Sequence, residues 1–66
     1  MKPGDLVELE WESLVYAQVE ALWRPWRGLV GVVIEKGEFS CRVYWAGAPE
    51  DLRFTSPVTR YLRPLS

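Results

Sequence analysis

The sequence predicts a small all-β domain organised around one β-hairpin. Residues 29–34 form an apolar run that only Gly31 interrupts, and its β-branched side chains suit a buried strand. Residues 39–45 alternate between polar and apolar side chains, the period of two expected of a strand with one buried face. Between them, Gly37 is expected to supply the positive φ that a tight hairpin turn requires. The side chains expected to be buried in the second strand are Cys41, Val43 and Trp45.

A first strand is predicted before this hairpin. Residues 2–5, Lys-Pro-Gly-Asp, have the composition of a turn, and residues 6–11 follow with alternating polarity. Val7, Leu9 and Trp11 then share one face of the strand. We expect Val7 and Leu9 to be buried.

The segment between the first strand and the hairpin, residues 13–26, is open to more than one interpretation. Apolar residues recur there at helical spacing, whereas residues 14–16 equally suit a strand. Pro25 disfavours a helical conformation in the residue before it. We interpret the segment as a long, partly ordered first loop, with a short helix as the alternative, and with Trp23 and Trp26 at its apolar tip.

The remaining sequence predicts two short strands around one helical turn. Residues 52–55 form the first of these strands. A helical turn follows, with Ser56 as its N-cap and Pro57 at its first position. Residues 61–65 form a last strand, which Pro64 restricts to the edge of a sheet because proline donates no hydrogen bond.

Composition limits how such a domain can be stabilised. Chains of 66 residues bury only about 60% of their unfolded surface, so a core of this size is marginal. One cysteine and no histidine leave no internal disulfide and no His/Cys zinc cluster, and we expect no metal or other cofactor. Nine aromatic residues, four of them Trp, are many for this core, so some rings are expected on a contact surface.

Charge is distributed unevenly along the chain. Residues 1–22 hold five acidic and one basic side chain, and residues 23–66 hold four acidic and seven basic ones. This asymmetry suits a protein whose acidic end meets a basic neighbour, although it also suits an ordinary solvated surface. No window approaches the roughly 20 apolar residues that span a bilayer, so no membrane partner is expected.

Three stretches, residues 3–7, 28–33 and 57–62, resemble the Src-homology-3-like (SH3-like) barrel. The resemblance implies a single five-stranded barrel over residues 1–66, with a long first loop and a short helical turn before the last strand. The middle stretch also resembles the KOW element of ribosomal and transcription-factor proteins. The combination of residues 2–7, 28–34 and 41–45 is similar to very small proteins encoded by tailed bacteriophages.

The residues give little support to catalysis or to proline-motif recognition. Without histidine the commonest general base is missing, and Cys41 alternates onto an apolar face where a thiol is usually inert. We therefore expect no catalytic residue. Tyr16, Trp45, Pro57 and Tyr61 could take the ligand-binding positions of a peptide-binding SH3 domain, but Trp45 falls in phase with the core positions.

A protein-interaction function is the hypothesis that remains. Trp23-Arg24-Pro25-Trp26-Arg27 combines Trp and Arg, which are enriched at hot spots, with a proline that lowers the entropy of ordering. The resemblance implies a component of a tailed-phage virion (capsid, neck, tail or baseplate), assembled in the bacterial cytoplasm with other subunits or with its own copies. The predicted interface consists of Trp23, Arg24, Trp26, Arg27, Arg42, Tyr44 and Tyr61. The alternative is that both tryptophans fold back and plug the end of the barrel.

The alternative is a KOW-like module that binds nucleic acid and acts on transcription or translation. The fold could gather Arg24, Arg27 and Arg42 beside aromatic rings as a stacking platform. Against this, the positive charges are spread along the sequence and the net charge is −1, whereas phosphate binding requires clustered positive charge.

Overall fold

A computed structural model describes residues 1–65 and shows five antiparallel strands with short helices between them. The predicted domain's last residue, Ser66, lies outside the described residues. The strands and α-helices, in chain order, are β1 (Leu6–Leu9), α1 (Trp11–Tyr16), α2 (Glu20–Trp23), β2 (Gly31–Lys36), β3 (Cys41–Tyr44), β4 (Phe54–Thr55) and β5 (Leu62–Pro64). Short 3-10 helices cover Arg24–Trp26, Glu50–Leu52 and Thr59–Tyr61.

The strands pair in the order β4-β3-β2-β1-β5, so the hairpin of β2 and β3 lies inside the sheet as expected. β5 is an edge strand, which fits the lack of an N–H donor at Pro64. The closed barrel that the resemblance implied is not formed by strand pairing, because β4 and β5 stand at opposite edges of the sheet. The structure therefore shows a small sheet-rich domain whose five strands form an open series.

The alternation of side chains across the strands builds the core on one face of the sheet. Val33 of β2 is paired with Val43 of β3, and both are buried. Val7 is paired with Gly31, where an added Cβ would lie 2.8 Å from Cε3 of Trp45. Gly31 therefore makes room for the largest buried ring. The buried hydrophobic residues are Val7, Leu9, Leu14, Trp26, Val33, Cys41, Val43, Trp45, Ala48 and Leu62.

Residues 13–26 follow the helical alternative and not the partly ordered loop, because α1, α2 and a 3-10 helix occupy nearly all of them. α1 ends in a Schellman motif: Gln18 N–H bonds to the Val15 carbonyl and Val19 N–H to the Leu14 carbonyl, each at 3.0 Å. Gln18 takes a φ of 61°, in the left-handed region. This cap reverses the chain, so that Leu14 is buried and Val19 packs against the core.

Four local predictions also differ from the structure. β1 ends at Leu9, and Trp11 begins α1 instead of continuing the strand. The hairpin turn does not use a positive φ at Gly37; among the described glycines, Gly4 and Gly28 have positive φ. The turn before β5 is a 3-10 helix that starts at Thr59, three residues after the predicted cap Ser56. The fourth-strand segment, residues 52–55, is a strand only over Phe54–Thr55.

Candidate interaction surfaces

The predicted apolar tip of the first loop folds onto the core. Trp26 is only 9% exposed, and its indole nitrogen donates a hydrogen bond to the Leu52 carbonyl oxygen at 2.6 Å. Trp23 is half-buried, with its ring centroid 5.2 Å from that of Trp26. Little of Trp26 is therefore available to a partner, and Trp23 offers only part of its ring.

The two arginines of this segment remain on the surface. Arg24 and Arg27 are both exposed, and the Arg27 guanidinium lies 4.4 Å from the centroid of the Trp11 ring. This cation–π contact places the Arg27 guanidinium over a half-buried indole. The sequence did not indicate this pair, because Trp11 had been assigned to the inward face of a strand that ends before it.

Arg42 and Tyr44 lie on the side of the sheet opposite the core. Tyr44 is paired with Phe54 across β3 and β4, with ring centroids 5.1 Å apart and tilted by 52°. The Arg42 guanidinium lies 5.5 Å from the centroid of the Phe54 ring. The structure thus brings these two predicted residues together, on the other side of the sheet from buried Trp26.

This side of the sheet is apolar over most of its width. Pairing of strands places Leu6 opposite Val32 and Val32 opposite Tyr44, so one row of apolar side chains crosses the sheet. We name the surface the outer sheet face. Its exposed or half-buried apolar residues are Leu6, Val30, Val32, Ile34, Tyr44, Phe54 and Leu65.

An ion-pair network lies at the β5 margin of the outer sheet face. Arg63 donates a hydrogen bond to Glu8, its partner across β1 and β5, and its guanidinium lies 3.8 Å from the Glu10 carboxylate. The hydrogen bond and the charge of Glu8 raise the pKa of Arg63 above its ordinary value. Arginine is charged throughout the physiological range whether or not it is paired, so the raised pKa does not change the charge of Arg63.

Tyr61 lines a cleft between α1 and the last 3-10 helix. The cleft has a volume of about 560 Å³, and we name it the tyrosine cleft. Tyr16, on its α1 side, is 91% exposed, and Tyr61 is half-buried, with the Arg60 guanidinium 5.8 Å from its ring centroid. The lining residues are Glu12, Ser13, Tyr16, Ala17, Arg60 and Tyr61.

A second open cleft adjoins the first at Arg60. Its volume is about 640 Å³, and Phe39 from the β2–β3 turn stands in it with 75% of its surface exposed. Phe39 is held next to the last 3-10 helix, because its carbonyl oxygen accepts a hydrogen bond from Thr59 N–H at 2.9 Å. Two exposed aromatic rings, Tyr16 and Phe39, therefore flank Arg60 on one surface.

Cys41, discussed for catalysis, lies inside the molecule, and so do two of the four residues discussed for proline-motif binding, Trp45 and Pro57. Cys41 is fully buried, and its thiol donates to Met1 Sδ at 3.7 Å and lies 3.5 Å from Thr59 Oγ1. Trp45 is also fully buried and donates a hydrogen bond to Thr55 Oγ1 at 2.7 Å. Pro57 is buried as well, so neither it nor Trp45 can line an exposed groove.

Within residues 1–65, no three His, Cys, Asp or Glu side chains are grouped so that they could hold a metal ion. No helix in the same range has the length and apolar character needed to cross a membrane. Comparison with protein-family models, curated proteins and solved structures found no match.

Proposed function

We propose that this chain is a non-enzymatic protein-interaction module, built as an SH3-like barrel, that binds another protein through the tyrosine cleft. The observation that carries the proposal is the exposure of Tyr16, 91% of whose surface is accessible, beside Arg60 and Tyr61 in an open cleft. Tyr and Arg are both enriched at hot spots, and a rigid tyrosine ring adds contact area at a low cost in conformational entropy.

Contacts beyond the regular strand pairs support the SH3-like architecture. The residues just before β3 meet the segment between β4 and β5: Ser40 bridges to Val58, and Cys41 N–H bonds to the Pro57 carbonyl oxygen at 3.1 Å. These bonds draw the β4 side of the sheet toward the chain that leads into β5. A five-stranded sheet that curls in this way, with β5 beside β1 and a 3-10 helix before the last strand, fits the barrel that the resemblance implies.

The rim of the tyrosine cleft has mixed charge, which favours a polypeptide partner over a polyanion. Glu12 and Arg60 stand on its two sides, and Glu38 borders the adjoining cleft. A polyanion would gain from the single arginine but would be repelled by the two carboxylates. A protein segment can place an apolar side chain against Tyr16 and charges of either sign beside these groups.

The resemblance to small proteins of tailed bacteriophages supports a more specific setting. In this setting the chain is a minor component of a virion, assembled in the bacterial cytoplasm, and its partner is another subunit of the particle. A small domain gains stability from such a partner, because any molecule that binds only the folded state stabilises it.

Affinity purification with matched variants tests the proposal. Tagged wild-type chain, Tyr16→Ala, Arg60→Ala and the control Leu22→Ala are expressed in cells that produce the natural partners, and bound proteins are quantified by mass spectrometry. Leu22 is 68% exposed but lies on α2, outside the cleft lining. We expect one protein to be retained by wild type and Leu22→Ala and lost by both cleft variants. Equal recovery with all four chains would contradict the proposal.

A nucleic-acid-binding function is the second candidate, because Arg27 stacks on Trp11 and Arg24 is exposed nearby in sequence. The stacking platform predicted from the sequence does not form as described, since Trp26 is on the core side of the sheet and Tyr44 on the outer side. A salt titration of binding to single- and double-stranded oligonucleotides distinguishes the two functions. Affinity that falls steeply with salt favours this candidate, and no binding near ~50 mM salt excludes it.

A further inference from the structure

We propose that the outer edge of β4 binds an extended segment of a partner protein as an added strand, and that this segment carries a carboxylate. The contact is separate from the tyrosine cleft and goes beyond the proposed function. Pairing with the β3 side extends past the two residues of β4. Trp45 N–H bonds to the Arg53 carbonyl oxygen at 2.7 Å, and Thr59 N–H bonds to the Phe39 carbonyl oxygen at 2.9 Å. We name residues 53–58 the β4 edge.

Every second residue of the β4 edge turns its main chain away from β3. Thr55 is paired with Val43, and the Pro57 carbonyl oxygen accepts a hydrogen bond from Cys41 N–H at 3.1 Å, so Thr55 and Pro57 face β3. The missing N–H of Pro57 is therefore on the β3 side and does not interrupt the outer edge. By the alternation of an antiparallel ladder, the residues that face outward are Phe54, Ser56 and Val58.

These outward main-chain groups lack hydrogen-bond partners. Within residues 1–65, no backbone group accepts a hydrogen bond from the N–H of Phe54, Ser56 or Val58. The carbonyl oxygens of Phe54 and Ser56 likewise receive none, whereas that of Val58 accepts one from Tyr61 N–H at 2.9 Å. Donors and acceptors that recur every second residue match the main chain of an extended polypeptide, which is the basis of recognition by strand addition.

The opposite edge of the sheet is closed to such an addition. The main chains of Tyr61 and Leu65 are hydrogen-bonded toward the β1 side, so Leu62 and Pro64 face outward. Leu62 N–H bonds to the Thr59 carbonyl oxygen, and proline has no N–H to donate. Proteins commonly protect sheet edges in this way. The contrast between the two edges indicates that the β4 edge is the one open to a partner strand.

The side chains at the β4 edge indicate which residues the partner segment carries. Phe54 is 55% exposed, and an apolar side chain on the added strand, directly opposite it, would cover the ring. The Arg42 guanidinium lies 5.5 Å from the centroid of the same ring, so a positive charge lies over β4. Ser56 is small and exposed, and a carboxylate opposite it could approach Arg42.

A small polar cleft beside Ser56 has the charge that this carboxylate requires. Its volume is about 220 Å³. One acidic and two basic side chains line it, namely Glu35, Lys36 and Arg42. Among the described residues only Arg63 forms ion pairs, so neither basic side chain of the cleft is neutralised by a carboxylate in contact with it. The cleft therefore favours an acidic side chain on the added strand.

The same observations disfavour a second copy of this chain as the added strand. Arg53 is the only charged residue of the β4 edge, so a second β4 edge would bring no carboxylate to Arg42. The β5 edge of a second copy has no free N–H to offer, because of Leu62 and Pro64. A segment of a different protein fits both the main-chain groups and the charge.

Amide hydrogen exchange and an NMR titration of the full chain test the proposal. The probe is the acetylated and amidated peptide Thr-Glu-Thr-Val-Thr-Glu-Thr, which places its valine opposite Phe54 and a glutamate opposite Ser56 in either strand direction. In the free chain, exchange should be fast at Phe54, Ser56 and Val58. Millimolar peptide should shift these three amide signals in a saturable way and slow their exchange.

Matched peptides separate the main-chain contribution from the charge contribution, and they act on the wild-type chain. Methylation of the amide nitrogens of the three central peptide residues should abolish binding. Replacement of both glutamates by glutamine should weaken binding roughly 5-fold, and so should Arg42→Gln in the chain. The control Arg63→Gln removes an arginine from β5, at the opposite edge of the sheet, and should bind like wild type.

Three results would overturn the proposal. The first is the absence of shifts at these amides with peptide up to about 5 mM, and the second is equal binding of the methylated peptide. The third is protection of the same amides that rises with protein concentration when no peptide is present, because a second copy would then occupy the edge. None of these results bears on the tyrosine cleft, which is tested with different residues.

Discussion

The indole nitrogen of Trp26 donates a hydrogen bond to the carbonyl oxygen of Leu52, 26 positions away in the sequence. This bond joins the 3-10 helix before β2 to the 3-10 helix before β4 and fixes a ring that is 91% buried. A residue type that favours interfaces is used here to close the core. Replacing Trp23 and Trp26 together would therefore disturb folding, so a loss of binding in that variant would not identify an interface.

Replacing Trp26 alone should be strongly destabilising. We expect Trp26→Ala to lower the free energy of unfolding by about 3–5 kcal/mol, a loss typical of large buried rings. Trp26→Phe keeps much of the ring but leaves the Leu52 carbonyl without its donor, which should cost about 1–3 kcal/mol. Urea denaturation followed by circular dichroism measures both. A Trp26→Ala variant as stable as wild type would show that the ring is not part of the core.

The left-handed residue at the end of α1 offers a stabilising substitution. Gln18 has a φ of 61°, a conformation that costs a residue with a Cβ about 1–2 kcal/mol relative to glycine. Gln18→Gly should therefore raise the free energy of unfolding by roughly 1 kcal/mol. The matched control is Ala17→Gly, one residue earlier at a φ of −80°, which should lower it by a similar amount. Destabilisation by both substitutions would contradict the Schellman cap.

The contact of Gly31 with the core predicts a substitution that overpacks it. A Cβ at Gly31 would lie 2.4 Å from Cγ1 of Val43 and 2.8 Å from Cε3 of Trp45. We expect Gly31→Ala to cost about 1–3 kcal/mol of unfolding free energy, or more if the ring cannot move. Adding Val43→Ala removes one of the clashing methyl groups, so the two losses should be less than additive in a double-mutant cycle. Strict additivity would show that residues 31 and 43 do not touch.

The buried thiol of Cys41 should react only when the chain opens. Cys41 is fully buried in the core, so a thiol reagent has no route to the sulfur in the folded state. The labelling rate of the folded chain should equal the rate of the urea-denatured chain multiplied by the equilibrium constant for unfolding. Labelling of the folded chain at the denatured rate would contradict the buried position.

The sequence predicted the sheet well where local alternation determines which side chains are buried. Cys41, Val43 and Trp45 are all fully buried, as their spacing indicated, and so is Val7 in the first strand. A period of two is a local property of strands, so it can be read without knowledge of the neighbours. Whether the sheet is open or closed depends on which strand edges remain unpaired. The alternation of side chains within a strand does not show which strands are neighbours.

The helical segment was predicted only as an alternative to a loop, because its register changes within it. Val15, Val19, Leu22 and Trp26 recur at one helical spacing, yet Leu14 is the buried residue of α1, and Val15 and Leu22 are exposed. The left-handed turn at Gln18 separates two short helices with different buried faces, so no single period describes both. The available indication was the run of helix-tolerant residues, which alone could not exclude a loop.

The two candidate surfaces depend on contacts between distant parts of the chain. The tyrosine cleft requires α1 to lie beside the 3-10 helix Thr59–Tyr61, and Glu10 N–H bonds to the Tyr61 carbonyl oxygen at 2.7 Å beside it. The row across the outer sheet face requires the register of four strands. The sequence singled out Tyr16, Tyr44 and Tyr61, but the cleft that joins Tyr16 to Tyr61 and the row that includes Phe54 follow only from these long-range contacts.

Site-specific photo-crosslinking from position 16 tests the central claim most directly. A photoreactive phenylalanine replaces Tyr16 in one chain and Leu22 in a matched chain, and both are irradiated in cells that produce the natural partners. Both positions are exposed, but only the first lies in the tyrosine cleft. We expect one discrete protein adduct from position 16 and none from position 22. The absence of an adduct from position 16, or the same adduct from both positions, would contradict a binding site at the cleft.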